Sequence, residues 1–489
     1  MIDFGRLLLV VAAIVLVALL TFVPLSANDF WLQVTIGEMI WRDGEIPRTA
    51  LFPFTEAKDY PFIAHEWLPS VLFYLLNEWL GYDRLLIVKG LLGLGLFALC
   101  YRLARRLTDD TVIAILLALA AMVVANYRHF LRPETLAMLF LVVQLNLLVE
   151  YELTGRRRVL AWLVPLGTLW ANCHGSFPIA LLIMAFFGAG AAIDRWRAQR
   201  SRTAAAAVAA PYVVAAGAMA LAMLVNPYGW RLYAFAWNIA QWKVLSDFII
   251  EWRPTFAEPF VGRRAFWAYI VYMAAGLALG LACRKRLAAT PVLLFVFFAL
   301  LATQRQRYVA LFAYVGLYCY ARTVDHVALR ATVKRVLAPA CAALGALAIA
   351  AVVRYGNMYG AWPHETSSDN FSLLMSEYLR EHHLEGNVWN SYTLGAQLIH
   401  DFYPQLKPLI DSRIDVYGEP YFLYTVHMGV NEQALLDFIE RYHVRYFLLT
   451  WGEFNYRIGT MPKLRENGWR MLFADHKAVL LGRELPEKR

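Results

Sequence analysis

The chain has 489 residues, of which 60% are hydrophobic and 17% are charged, and its mean hydropathy is +0.47. A soluble protein is nearer half apolar and about a quarter charged, so this composition excludes an ordinary soluble enzyme and predicts a polytopic α-helical membrane protein. The formal net charge of +9 is typical of basic cytoplasmic loops, and no motif accompanies it that predicts nucleic acid as a partner. The five cysteines lie in or beside apolar runs without a CxxC pair, which favours neither a disulfide framework nor a zinc site.

A membrane-spanning helix needs roughly 20 mostly apolar residues, and about eleven segments fit this pattern. They are residues 7–24, 85–103, 112–125, 134–151, 159–172, 177–193, 204–225, 266–283, 291–303, 308–320 and 336–353. The first run also resembles a signal peptide. We expect it to be retained as a span, because Leu25 is a poor residue for the −3 position of the only plausible cleavage site.

Arginine and lysine concentrate in alternate loops, namely those near residues 102–106, 156–158, 195–202, 284–286 and 322–335. Short loops rich in these residues face the cytoplasm. The sequence therefore predicts a cytoplasmic N-terminus. It places the loop at 26–84 and everything after residue 354 on the extracytoplasmic side of the membrane.

From about Asp369 the composition changes to short alternating segments. NVWN, KPLI, VRYFLLT, WRMLFAD and KAVLLGR are typical of strands, whereas FSLLMSEYLREHH, LGAQLIHDF and NEQALLDFIERY are typical of helices. Strands that alternate with helices predict a small α/β domain. We expect a transmembrane domain over residues 1–360, with amphipathic helices in its first outward loop (26–84), followed by an extracytoplasmic α/β domain over 365–489.

Asp29 stands where the first apolar run meets the outer membrane surface, directly before an amphipathic helical pattern. One interpretation is a helix N-cap, since Asp accepts hydrogen bonds from the free N–H groups of a first helical turn. The other is a general base at the mouth of a membrane cavity, where partial burial raises a carboxyl pKa toward its working range. The two roles are compatible.

The stretch RHFLRPET places Arg128, His129, Arg132 and Glu134 in one short outward loop. Pro133 suits the first turn of a helix, and Glu134 beside it suits the positive end of the helix dipole. The arginines run against the positive-inside trend, so an anionic ligand is a natural reason for them.

A second outward turn, TQRQRY, carries Arg305 and Arg307 between two apolar segments. Guanidinium groups match phosphate oxygens with two parallel hydrogen bonds. The alternative is a pair of interfacial arginines that contact lipid headgroups.

Two further outward segments hold candidate polar residues. His65 and Glu66 begin an amphipathic helix, and His174 lies in a minimal loop. Each is a candidate substrate-binding residue, with an ordinary hydrogen-bonded or helix-terminal role as the alternative. The histidines and acids show no metal-binding spacing such as HExxH, so no cofactor is predicted and the signal for a divalent metal is weak.

The order of these features resembles the GT-C superfamily of membrane glycosyltransferases. The shared elements are a first span, an outward acid (Asp29), an amphipathic helix, the stretch HEWLPSVLFYLLNEWLG and an acid before the fourth span (Glu134). The chain most resembles the bacterial branch with the lipid A aminoarabinose transferases, the galacturonosyltransferases of rhizobial lipopolysaccharide and the protein O-mannosyltransferases. It departs from them in having Asn28 before Asp29 where some members have two acids, and His65–Glu66 in place of Pro-Pro.

The resemblance implies a function for the chain. A sugar arrives on a polyprenyl-phosphate donor in a bacterial cytoplasmic (inner) membrane, and an extracytoplasmic lipid, glycan or protein accepts it. Asp29 and Glu134 are the implied catalytic acids, and direct displacement inverts the anomeric centre. Arginines from the outward loops stabilise the departing lipid phosphate.

Two other classes of function remain open at this stage. One is a transporter or flippase of a lipid-linked glycan, and the other is a non-catalytic glycan-assembly protein. A whole-chain repeat, which many transporters have, is absent from the sequence. In the outward tail, DSRIDVYG (411–418) is either a substrate-binding segment or an ion-pair network between strand and loop.

Overall fold

The computed structural model describes residues 4–22, 29–242, 246–247, 249–324 and 372–483. The chain divides into two compact units. The membrane unit comprises Met1–Val23 and Leu86–Trp362, and the loop–sheet unit comprises Pro24–Leu85 and Pro363–Arg489. The first outward loop therefore groups with the C-terminal part of the chain, whereas the sequence analysis attached it to the spans. The predicted boundary near residue 360 falls outside the described residues.

The described part of the membrane unit is helical. Its helices are α1 (Phe4–Thr21), α4 (Leu85–Leu107), α5 (Thr111–Ala125), α6 (Pro133–Thr154), α7 (Arg158–Ala161), α8 (Leu163–Cys173), α9 (Pro178–Gln199), α10 (Arg202–Ala222), α11 (Arg231–Gln241), α12 (Arg264–Cys283), α13 (Ala289–Gln304) and α14 (Tyr308–Val324). In the described residues, 6 helices are long and apolar enough to cross a membrane. They are Tyr82–Leu107, Thr111–Arg128, Pro133–Thr154, Pro178–Gln199, Arg202–Ala222 and Arg264–Cys283.

The predicted number of about eleven spans is thus not confirmed. Leu9–Thr21 and Ala289–Gln304 are apolar helices of lesser length. The predicted span at 159–172 is divided into helices of 4 and 11 residues. Pro165 lies in the first turn of the second helix, where it has no N–H to continue hydrogen bonding back into the first. The predicted span at 336–353 lies outside the described residues.

The spanning helices expose apolar side chains. Exposed fractions of about two-thirds or more are found for Val213, Val214 and Leu221 of α10 and for Val271 and Leu281 of α12. Contiguous apolar surface of this kind is rare on soluble proteins. On helices of this length and composition it is the surface expected to face lipid.

The loop–sheet unit joins two helices of the first loop, α2 (Phe30–Asp43) and α3 (Trp67–Leu80), with an α/β region. Its other helices are α15 (Leu373–Glu381), α16 (Gly395–Phe402), α17 (Ile414–Met428), α18 (Glu432–Tyr442), α19 (Trp451–Tyr456) and α20 (Pro462–Glu466). Its strands are β1 (Gly386–Asn390), β2 (Leu406–Pro408), β3 (Val444–Thr450), β4 (Arg470–Ala474) and β5 (Ala478–Gly482), in the sheet order β2-β1-β3-β5-β4. The first three strands are parallel, and β5 runs antiparallel to both β3 and β4.

The small α/β region predicted from sequence is confirmed, with each predicted strand and helix present. The sequence analysis did not predict the short helices α19 and α20, nor α17, which begins inside DSRIDVYG. Gly418 (φ 73°) and Pro420 interrupt this helix, and the backbone kinks at Gly418. Gly and Pro normally end helices, which explains why the segment lacks a helical signal.

Gly37 of α2 lies directly against the backbone of α3. A Cβ added there would lie 2.0 Å from the backbone oxygen of Ser70. Only glycine fits at this crossing, because a backbone atom cannot rotate away as a side chain does.

We expect Gly37→Ala to force α2 and α3 apart and to destabilise the protein by about 1–3 kcal/mol, as overpacking does. Thermal unfolding in detergent measures the effect. Gly95→Ala in α4 is the matched control, because a Cβ there meets nothing within 4 Å and alanine is favoured over glycine in helices. Equal stability of both variants would contradict the close crossing.

Candidate functional site in the membrane unit and the first loop

Arg128 is the centre of a buried charge cluster in the membrane unit. It closes the 3-10 turn Asn126–Arg128, and Glu134 follows Pro133 in the first turn of α6. The Arg128 side chain, 4% exposed, donates through Nη2 to Glu134 and through Nη1 to Glu251. One guanidinium thus binds two carboxylates, and buried charges need such pairing.

Glu251 is positioned by the backbone around it. Arg307 N donates to Glu251 O at 3.0 Å, and Gln306 N donates to Arg253 O at 3.0 Å. Burial by itself raises the pKa of the Glu251 carboxyl, but the guanidinium groups of Arg128, Arg307 and Arg132 outweigh it and lower the pKa to about 2. Glu251 is therefore an anion at neutral pH.

Further arginines flank this pair. Arg132 Nη1 lies 3.8 Å from Glu251 Oε2, and Arg307 Nη2 lies 3.9 Å from Glu134 Oε1. The guanidinium carbons of Arg305 and Arg307 lie 4.5 and 4.4 Å from the ring centre of Trp252. Stacking on an aromatic face holds an arginine while its N–H groups remain available to a ligand.

The charges in the cluster do not cancel. Four arginines (Arg128, Arg132, Arg305 and Arg307) lie with two glutamates (Glu134 and Glu251), so the surplus is two positive charges. The guanidinium group of Arg128 is hydrogen-bonded to both carboxylates and is not available to a ligand. The surplus belongs to the other three arginines, and Arg305 Nη1 is buried without a hydrogen-bond partner in the described residues.

The two predicted histidines of this unit have local partners. His174 Nδ1 lies 2.8 Å from Ser176 Oγ, and the ring is within electrostatic reach of Glu134. His129 Nε2 lies 2.5 Å from Tyr314 Oη. Burial, with a smaller contribution from Lys89, lowers the pKa of His129 to about 4, so the ring is neutral at pH 7. Their substrate-binding roles stay predictions.

Asp29, His65 and Glu66 belong to the other unit, the loop–sheet unit. Asp29 directly precedes α2, and its side chain makes no capping hydrogen bond to that helix. His65 Nε2 lies 3.6 Å from Glu66 Oε1, and Glu66 Oε2 accepts from Gln33 Nε2 at 2.6 Å. The geometry thus gives no support to the N-cap interpretation of Asp29. Its catalytic role, and a common centre with Glu134, stay predictions.

Glu251 and Trp252 were missed by the sequence analysis. They form part of the motif FIIEWRP, in which a single acid follows three apolar residues in a predicted outward loop. That lone acid at membrane depth was the available signal. Its partners lie 123 residues away at Arg128 and 56 residues away at Arg307, so only the folded chain shows them.

In the described ranges, no group of three or more His, Cys, Asp or Glu residues has an arrangement that could hold a metal ion. A scan against protein-family models finds no match, and a search of the curated proteins finds none.

Solved structures do match. The archaeal oligosaccharyltransferase AglB from Archaeoglobus fulgidus, in complex with an inhibitory peptide and a dolichol-phosphate, matches with a TM-score of 0.60 and 14% identity over 99% of this chain and 74% of that chain. The apo form matches at 0.59 and 13% identity, with 99% and 75% covered. The form tethered to an acceptor peptide with the NVT sequon matches at 0.59 and 14% identity, with 98% and 74% covered.

The chain has the GT-C fold. AglB is a GT-C membrane glycosyltransferase, so the resemblance drawn from Asp29, the HEWL stretch and Glu134 is confirmed for the fold. The GT-C likeness extends over nearly the whole chain, whereas the sequence motifs cover mainly its first third. The particular branch within the GT-C superfamily stays a prediction.

Proposed function

We propose that this protein is an inverting membrane glycosyltransferase. It moves a sugar from a polyprenyl-phosphate donor to an extracytoplasmic acceptor, which is a lipid, a glycan or a protein. The GT-C fold supports this, because the similar AglB structures are transferases solved with a dolichol-phosphate and with acceptor peptide. The membrane is the bacterial cytoplasmic (inner) membrane, with the N-terminus inside and the C-terminal domain outside.

One observation carries the proposal, namely the surplus of two positive charges in the Arg128 cluster. Two glutamates balance only two of the four arginine charges: Arg132 and Arg307 lie 3.8 and 3.9 Å from these carboxylates, and Arg305 Nη1 is buried without a hydrogen-bond partner among the described residues. A departing polyprenyl phosphate carries close to two negative charges near pH 7. The cluster thus matches the leaving group in both charge and hydrogen-bond chemistry.

The reaction is a direct displacement. Asp29 takes the proton from the acceptor hydroxyl as that oxygen attacks the anomeric carbon. The bond between the anomeric carbon and the phosphate oxygen breaks, and its electron pair leaves with the lipid phosphate. Negative charge grows on that phosphate in the transition state, where Arg132, Arg305 and Arg307 stabilise it electrostatically.

A glycan flippase and a non-catalytic assembly protein are the alternative functions. A transporter requires a polar pathway through its helices. Lys89 is the buried cation of the spans that lies apart from the arginine cluster, among the described residues. So few buried charges inside the described spans favour an enzyme over a transporter.

The test uses purified protein in detergent, where no membrane gradient exists. Polyprenyl-phosphate-linked sugars are incubated with an extract of envelope glycolipids, and both the sugar-bearing product and the released polyprenyl phosphate are quantified by mass spectrometry. We expect equal amounts of the two. Movement of the donor across liposomes without release of lipid phosphate would instead identify a flippase. If the donor is neither moved nor cleaved, the non-catalytic assembly protein is the remaining function.

We expect Arg305→Lys and Arg307→Lys each to lower turnover by roughly tenfold or more, because lysine loses the bidentate fork and the stacking on Trp252. Initial rates at saturating donor measure this, and thermal unfolding checks that the fold survives. Arg263→Lys, at an exposed arginine that directly precedes α12, is the control. Wild-type rates in both cluster variants would contradict the phosphate-binding role and would indicate that these arginines contact lipid headgroups.

A further inference from the structure

The DSRIDVYG stretch is built around a fully buried carboxylate in the loop–sheet unit. Asp411 accepts hydrogen bonds from Arg413 Nε at 2.9 Å, from Arg413 Nη2 at 2.6 Å and from Tyr417 Oη at 2.5 Å. This is a bidentate arginine–carboxylate pair with a third donor, among the strongest polar arrangements that proteins use. The ion-pair interpretation of Asp411 and Arg413 is therefore the one that the geometry supports.

Arg413 also binds the first loop. Its Nη2 donates to the carbonyl oxygen of Ala50 at 2.7 Å, and its guanidinium carbon lies 4.6 Å from the ring centre of Phe62 and 5.1 Å from that of Phe52. Ala50 N donates to Tyr60 O at 3.0 Å, which closes this part of the loop into a hairpin-like segment. The C-terminal half of the chain thus holds the segment that leads into His65.

Asp415 continues the connection. It interacts electrostatically with His65, Arg413 and Glu66. Glu66, 3.6 Å from His65, and Asp415 both stabilise the protonated form of His65. Glu66 and Asp415 repel each other electrostatically, and a protonated His65 offsets this repulsion.

Glu66 transmits this arrangement to α2. It binds Gln33 Nε2 at 2.6 Å, and the Gln33 oxygen accepts from Ser70. Gln33 N donates to Asp29 O at 2.9 Å, so Gln33 belongs to the helical turn that begins at Asp29. On the same turn, Trp31 stacks on His400 of the C-terminal half with 4.4 Å between ring centres.

We propose that His65 and Asp415 are positioning residues for Asp29. They act through Glu66 and Gln33, which hold the first turn of α2, and the C-terminal domain thereby completes the catalytic centre. This inference rests on the proposed function, in which Asp29 is the base. It gives the extracytoplasmic domain a specific task, since Asp415 comes from that domain.

The arrangement makes positioning depend on pH. Burial lowers the pKa of His65, but Glu66 and Asp415 outweigh burial and raise it from 6.5 to about 8. Because the folded pKa is raised, the link is fully present below about pH 6.5 and is lost as the pH rises through about 8. His400, which stacks on Trp31 in the first turn of α2, has a pKa that burial lowers, so it gains no proton in this window. Arg413 stays charged.

The experiment measures turnover at saturating donor between pH 6.5 and 9.5 in the full-length protein. We expect the wild type to lose activity on a basic limb near pH 8. Asp415→Asn moves that limb to lower pH, because it removes one of the two charges that stabilise the imidazolium. His65→Gln removes the limb and leaves low turnover at every pH. Asp437→Asn, an exposed acid of the same unit, keeps the wild-type profile.

A second measurement does not depend on activity. Amide hydrogen exchange of residues 29–37, corrected for intrinsic rates, reports how firmly the first turn of α2 is held. Its protection falls near pH 8 in the wild type and is low at all pH in His65→Gln. Wild-type profiles for both variants in both measurements would overturn the proposal. The expected exchange pattern with an inactive wild type would instead refute only the proposed function.

Discussion

Asp29→Asn is expected to lower sugar transfer by at least about 100-fold, the lower end of what general-base catalysis contributes. The variant keeps the size of the side chain and removes the proton acceptor. The helix that follows is unaffected, because the Asp29 side chain does not cap it and the hydrogen bond from Gln33 N to the Asp29 carbonyl oxygen is retained. Donor binding also persists, since the arginine cluster is unchanged. Product formation by the purified variant measures the loss of transfer, and a donor-binding assay checks that the donor still binds.

Glu134→Gln is the comparison for this result. Glu134 is bound to Arg128, so we expect its replacement to reduce stability as well as rate. Asp29→Asn is expected to reduce rate alone. Near-full activity of Asp29→Asn would remove the base from the mechanism. Loss of activity confined to Glu134→Gln, with unchanged stability, would transfer the role to Glu134.

Arg128→Ala is expected to destabilise the protein by about 3–5 kcal/mol, the cost of removing one partner from a buried ion pair. Two buried carboxylates, Glu134 and Glu251, then lose their shared guanidinium. Even Arg128→Lys is expected to be destabilising, because a single ammonium group cannot satisfy both carboxylates with the same geometry. Denaturant unfolding in detergent measures the loss.

Arg441→Ala is the matched control for this loss. Arg441 and Glu56 form an exposed pair at 3.5 Å, with both side chains about two-thirds exposed. Exposed pairs contribute roughly 0–1 kcal/mol. Equal effects of the two substitutions would show that Arg128 is solvated, and its assignment as the structural member of the cluster would be wrong.

Local sequence patterns predicted much of the fold. Apolar runs of sufficient length identified the six helices of the described residues that are long and apolar enough to span a membrane, since the lipid requires about 20 apolar residues wherever a helix crosses it. Alternation identified the five strands of the C-terminal sheet, since successive side chains of a strand face opposite sides. The helix at Ile414–Met428 was not predicted, because Gly418 and Pro420 contradict the local helical pattern.

The candidate site was predictable only in part. Arg128, Arg132, Glu134 and Arg307 were recognised as charges at membrane depth, and the structure places these four residues in one cluster. The sequence did not predict which of these arginines pairs with a carboxylate and which remains for a ligand. That depends on Glu251, which comes from a different loop. A sequence shows how many charges a loop carries, but not which of them neutralise one another.

The amino-acid sequence by itself determined that this is a helical membrane protein with an α/β region, because hydropathy and periodicity act over a few neighbouring residues. The tertiary structure alone decided the partners of Arg128 and the grouping of the first loop with the C-terminal half. It also brought Asp415 to His65, which lies 350 residues earlier in the chain. Contacts of that kind depend on three-dimensional distance, and a carboxylate and a guanidinium carry the same local signal whether they meet each other or water.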